Sequence, residues 1–208
     1  MIVLEMNPGV SGTVRGGQTV LPVLLCALLA LAGVLVPTAG KAAQYDVELI
    51  VFKHLYPDSG GELLRDDPGM PEDWHAQPPD SGNFRKLPAS QFRMSNIEGA
   101  LSRSRNYRPL LHIAWRQPGF GRASAQPVLI RRDGPASAGQ EITGTITLSR
   151  ARYLHLRADL LFGSGSSPDV AEGAAPVRLL EKRRMRSREI HYLDNPYYGI
   201  LVLVTPSQ

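Results

Sequence analysis

Cysteine is almost absent from this chain. The one in 208 residues, Cys26, lies inside the uncharged run from Val20 to Val36, behind Leu24 and Leu25 rather than the small residue a lipidated cysteine requires. Everything after that run is free of thiols. This excludes a disulfide framework, a cysteine nucleophile and a thiolate-bound metal. Enzyme signatures are missing too: there is no Gly-x-Ser-x-Gly elbow, no Ser-x-x-Lys pair and no glycine-rich phosphate loop opening a helix. The five histidines, His54, His75, His112, His155 and His191, show no ligand spacing, so no metal site and no cofactor are expected. His112 reads as a hydrogen-bonded core histidine. Asp46 and Glu48, which invite comparison with a glycosidase pair, read instead as partners for arginines.

What the first 42 residues do contain is an export signal. Arg15 precedes the Val20–Val36 run, which as a helix at about 1.5 Å per residue falls short of a hydrocarbon core of roughly 30 Å. Gly40-Lys41-Ala42 then supplies small residues for cleavage between Ala42 and Ala43, an uncleaved anchor being the alternative. Export without disulfides fits a bacterial periplasm. Residues 43–208 are enough for one domain with an ordinary core.

Charge is unevenly placed. Ala43 to Asp80 holds two basic residues against nine acidic ones, whereas Ser81 to Gln208 holds nineteen basic against nine acidic. A nucleic-acid partner does not fit an exported chain, so the basic part points to anions of the cell envelope.

Periodicity predicts many strands. Tyr45 to Phe52 alternates, with Val47, Leu49 and Val51 on one face and Asp46, Glu48, Ile50 and Phe52 on the other, where burial is expected at one end only. From Pro57 to Pro88 lies an acidic loop rich in Pro, Gly and Asp, with Trp74 as its large aromatic. Ser95-Asn96-Ile97-Glu98 has the capping-box pattern of a helix reaching about Arg105, with Ile97, Ala100, Leu101 and Ser104 inward. Strands follow at 110–115, 127–130, 140–148 and 152–162. Asp133-Gly134-Pro135 is a turn, and Ser149-Arg150-Ala151 joins the last two strands as a hairpin. After a Gly/Ser/Pro/Ala loop from Gly163 to Pro176, Val177 to Ile190 forms one long strand or two, and Gly199 to Val204 the last. The fold class expected is α+β: a mainly antiparallel sheet with one or two helices, preceded by a signal peptide.

Arg183 to Asp194 carries four arginines, two acids, a histidine and a tyrosine, with apolar residues recurring between them. If it is extended, Arg184, Arg186 and Arg188 share a face, with Arg183 and Met185 opposite. On the strand from Arg152 to Phe162, Leu154, Leu156, Ala158 and Leu160 point inward, while Tyr153, His155, Arg157 and Asp159 point out. Side by side, these rows make a platform of arginine forks, which match carboxylates, and aromatic rings, which match sugar faces. Trp115 and Tyr197 complete the candidate ligand-binding set of Tyr153, His155, Arg157, Arg184, Arg186 and Arg188. A solvated sheet face of ion pairs with Glu181, Glu189 and Asp159 is the alternative.

Tyr45 to Phe52, Trp115-Arg116-Gln117-Pro118, Arg152-Tyr153-Leu154-His155-Leu156, and Arg183 to Asp194 followed by Pro196 and Gly199 occur in an order that resembles the CsiV family of periplasmic peptidoglycan-binding proteins. The resemblance implies a non-catalytic periplasmic factor that binds peptidoglycan and supports cell-wall synthesis and cell shape. It also implies as partner an outer-membrane lipoprotein that activates a class A penicillin-binding synthase. An envelope protein–protein interaction module without direct murein binding is the second reading, its acidic loop docking a basic partner.

Overall fold

The computed structural model describes residues 43–57, 69–71, 73, 76–132, 141–163 and 176–207, together with Gly9. In chain order these form β1 (Gln44–His54), β2 (Arg85–Lys86), α1 (Ser95–Arg103), β3 (Tyr107–Pro118), β4 (Pro127–Arg132), β5 (Ile142–Arg150), β6 (Leu154–Phe162), β7 (Val177–Met185), β8 (Ile190–Asp194) and β9 (Tyr198–Pro206). A five-stranded sheet runs in the order β2-β3-β1-β9-β8 and a four-stranded sheet in the order β4-β5-β6-β7. All the pairs between these strands are antiparallel, so the class is α+β as the periodicity predicts. The expected signal segment, Trp74, the 133–135 turn and most of the 163–176 loop lie outside the described residues.

The period of two in the sequence becomes two buried faces on β1. Val47, Leu49 and Val51 enter one hydrophobic cluster with Leu154, Leu156, Ala158 and Leu160 of β6 and with Ile200, Val202 and Val204 of β9. That cluster is the filling between the two sheets, and within it Phe162 of β6 stacks on Tyr198 of β9 at 3.9 Å and 8°. Such a pair contributes roughly 0.5–1.5 kcal/mol beyond the area it buries. Ile50 and Phe52 point the other way, into a second cluster with Met94, against which Ile97 and Leu101 of α1 pack. The molecule is therefore layered: four-stranded sheet, five-stranded sheet, helix.

Three expectations change. First, burial on the second face of β1 reaches Glu48, which is 4% exposed, instead of stopping at the apolar end. Second, the capping box does not form: the N-cap is Met94 with no side-chain cap, and the helix ends at Arg103 with Ala100 exposed. The reason lies 46 residues earlier. The Glu48 carboxylate accepts the backbone N–H of Arg93 at 2.8 and 3.0 Å and of Met94 at 2.8 Å, placing a negative charge at the positive end of the helix. Glu98 turns instead to His112, whose two ring nitrogens hydrogen-bond to Glu98 Oε2 and Glu48 Oε1, each at 2.8 Å. His112 is thus a satisfied interior histidine. Asp46 does pair with arginine, in a two-pronged contact from Arg116 at 2.6 and 3.0 Å, which holds that guanidinium above its ordinary value.

Third, of the one or two strands expected from Val177 to Ile190 the structure has two, Val177–Met185 and one opening at Ile190, and they lie in two different sheets. Beta-7 pairs with β6 and stops at Met185, whose side chain is 1% exposed in the core. The chain then turns through Arg188, at φ 66°, whose N–H donates to Val204 O at 2.8 Å, and β8 pairs with β9. A left-handed residue cannot continue a strand, so the turn breaks the alternation that the residue types suggested.

Candidate functional site

The two outer surfaces of this layered body differ. That of the five-stranded sheet is covered by α1 over β1 and β9, while Ile190 and Tyr192 of β8 stay exposed. That of the four-stranded sheet is closed at one end and open at the other. At the closed end Thr145, Asp159 and Leu161 are at most 3% exposed. Asp159, expected to point to solvent, is fully buried and grips Arg178 at 2.7 and 3.0 Å and Arg157 at 3.3 Å. An isolated carboxylate at such depth would be too expensive to keep charged, and two guanidiniums supply the compensation.

The open end is built by register. His155 of β6 lies opposite Arg184 of β7, and Arg157 lies opposite Lys182. Residues paired across an antiparallel ladder share a face, so these four side chains form a patch on the outer surface. Arg122, from the short turn Arg122–Ser124, reaches over and bonds to His155 Nε2 at 2.9 Å. Together they line a groove of about 480 Å³. At the sheet's end, where the β5–β6 hairpin turn meets the β7–β8 turn, a second hollow of about 360 Å³ is lined by Arg150, Arg152, Tyr153 and Arg186 among others. A third, of about 250 Å³, joins Tyr153, Arg184 and Arg186 to Glu189 and His191. Among the described residues Glu189 is the one acid lining these three hollows. Among the described residues Arg150, Arg152, Lys182 and Arg184 carry no acidic partner. A concave surface with uncompensated positive charge concentrates anions.

Of the eight residues singled out from the sequence, the fold gathers four. Tyr153, His155, Arg157 and Arg184 lie together on this surface, with the Arg184 guanidinium 4.8 Å and that of Arg152 5.7 Å from the Tyr153 ring centre. Arg157 is partly committed to Asp159. Arg186 borders the same hollows from the turn, 3.6 Å from Glu189, with its backbone N–H donating to His191 Nε2. The shared face expected for Arg184, Arg186 and Arg188 is not formed, because the strand ends before the second of them; Arg188 belongs to the turn. Arg183 does face with Met185, as expected, and is tied to Glu181 and to Tyr192 O of β8, linking the sheets.

Two residues lie elsewhere. Trp115 is fully buried between the sheets, its indole N–H given to Gln117 Oε1 at 2.8 Å, so its ring is closed to any dissolved ligand. Tyr197 packs half-buried on the core, and its backbone N–H, like that of Tyr198, is held by Asn195 Oδ1. The sequence reading missed Arg122, Arg150, Arg152 and Lys182. Lys182 had a signal, since it shares the period-two row with Arg184. Arg150 also had one, being placed with Arg152 across the hairpin turn. Arg122 had none, because it sits in a loop without period. Among the described residues no helix is long and apolar enough to cross a membrane, and no group of three His, Cys, Asp or Glu side chains is arranged to hold a metal.

Residues 23–207 match the model of the family described as peptidoglycan-binding protein, CsiV. No curated protein and no solved structure matches the chain.

Proposed function

The chain belongs to the CsiV family of peptidoglycan-binding proteins, and from that premise we propose that it binds the murein wall through the open end of its four-stranded sheet. The observation that carries the reading is the cluster of Arg122, Arg150, Arg152, Lys182, Arg184 and Arg186 around three hollows with a single lining acid among the described residues. Guanidinium groups held on a rigid sheet lose little freedom on binding and match the planar carboxylates of the wall. Tyr153, His155, Arg157 and Arg184 form the contact surface and Arg186 its rim.

The same reading makes the protein a non-catalytic periplasmic factor, exported by its first 42 residues, that supports wall synthesis and cell shape. Its single domain starts at residue 43, and it acts by bringing a lipoprotein activator of a class A penicillin-binding synthase to the wall. Sedimentation with purified sacculi tests the binding step. The mature domain should pellet with sacculi at low salt and return to the supernatant as salt screens the exposed charges. Retention in the supernatant at low salt overturns the reading. Recovery of a protein partner by crosslinking that survives digestion of the wall, with sacculus binding indifferent to Arg184→Ala, is the outcome expected of a protein–protein module instead.

A further inference from the structure

A tyrosine on a murein-binding surface suggests a platform for a sugar ring. The geometry at Tyr153 argues otherwise. Its ring is engaged by two guanidiniums, those of Arg184 at 4.8 Å and Arg152 at 5.7 Å. A cation drawn to the π-face by the ring's quadrupole occupies the surface on which a sugar would stack. The stack also fixes two long, flexible side chains that come from different elements, one from the β5–β6 turn and one from β7. Their N–H edges are then free for planar anions, and neither has an acidic partner among the described residues.

The placement of the hollows adds a second point. The groove lined by His155, Lys182 and Arg184 and the end hollow lined by Arg150, Arg152 and Arg186 are bridged by the third hollow, which shares Arg184 with the first and Tyr153 and Arg186 with the second. This makes two cationic basins side by side, with the stacked pair as the ridge between them. A ligand that satisfies both must carry at least two separated anionic groups on a chain thin enough to cross that ridge. The peptide stems of murein have this character, with several free carboxylates along an extended backbone. The uncharged faces of the N-acetylated sugars do not.

We infer that this surface recognises the carboxylates of the peptide stems and not the glycan, with Tyr153 acting as a positioning residue that holds Arg152 and Arg184. The inference rests on the murein-binding reading and deepens it. Competition against sacculus binding by the mature chain separates the two. Free stem peptides released from the glycan should displace the protein. The same peptides with their carboxylates converted to amides should compete at least about tenfold more weakly, since charge-assisted forks are lost. Uncharged N-acetylglucosamine oligomers should not compete.

Direct titration of a labelled stem peptide then tests the ridge. Arg152→Gln and Arg184→Gln should each weaken it several-fold, and Tyr153→Leu should do the same while Tyr153→Phe, which keeps the π-face, retains binding. Equal competition by the amidated peptides or by the sugar oligomers overturns the inference and leaves the murein reading standing. So does displacement by inorganic phosphate at the peptide's own concentration, which would mark a generic anion patch. Failure of sacculi to retain the protein at all overturns both.

Discussion

The outer surface of the five-stranded sheet and the open end of the four-stranded sheet both carry charged residues, yet they are opposite in kind. Under α1, Glu48, His112 and Glu98 satisfy one another and the start of the helix, with both ring nitrogens and both oxygens of Glu48 engaged. On the other side, Arg150, Arg152, Lys182 and Arg184 have no acid to meet among the described residues. The comparison teaches that charge reports a role only after its partners are known. A satisfied network stabilises and specifies the fold, whereas an unsatisfied, water-accessible one is held in reserve for a ligand.

The comparison can be broken by substitution. The largest effect is expected at Glu48. Glu48→Ala strands two backbone donors and the interior side of His112, and should lower stability by about 3–5 kcal/mol in urea denaturation. A loss below about 1 kcal/mol would mean that the network is not the closed unit described. Next comes Asp159→Ala, at the closed end of the four-stranded sheet. It should remove about 2–3 kcal/mol, less than Glu48 because the guanidiniums of Arg157 and Arg178 still reach water. If Asp159→Ala instead abolished sacculus binding without affecting stability, the division of that surface into a structural and a binding end would be wrong.

A smaller effect belongs to pH. Burial raises the Tyr198 phenol above its ordinary value of 10.0 in the folded chain, so the unfolded chain gives up that proton first. Stability from this source is complete below about pH 10 and declines as pH climbs through the raised folded value. Thermal melts taken at steps above pH 10 should show a falling midpoint, and Tyr198→Phe should flatten that fall. The smallest change in stability is expected on the open surface. Arg184→Ala and Arg152→Ala should stay within about 0.5 kcal/mol of the parent, since among the described residues neither is tied into an ion pair. A melt displaced well beyond that would return these arginines to the structural side of the comparison.

Much of this was legible in residue order. The alternation of Val47, Leu49 and Val51 and of Leu154, Leu156, Ala158 and Leu160 placed the core correctly, because apolar side chains at period two have one low-energy destination. The outward row of Tyr153, His155 and Arg157 was readable for the same reason. Glu48 as the acceptor at the start of α1 was not, since the local Ser95-x-x-Glu98 pattern offered a nearer solution and nothing in sequence connects position 48 with positions 93 and 94. Trp115 looked like a binding aromatic because its residue type is indifferent to whether its strand is central or peripheral; its place next to β1 in the middle of the sheet buries it.

The segment from Arg183 to Asp194 divides the two kinds of knowledge most clearly. Sequence alone determined that it is ordered, cationic and alternating, because charge and apolar spacing are local properties. Which sheet each half joins was decided only by the tertiary structure. Met185 finds its place in the core, Arg188 turns left-handed, and the ladder of β9 captures Ile190 to Asp194. Backbone hydrogen bonds between distant strands set that crossing, and with it which arginines meet across Tyr153.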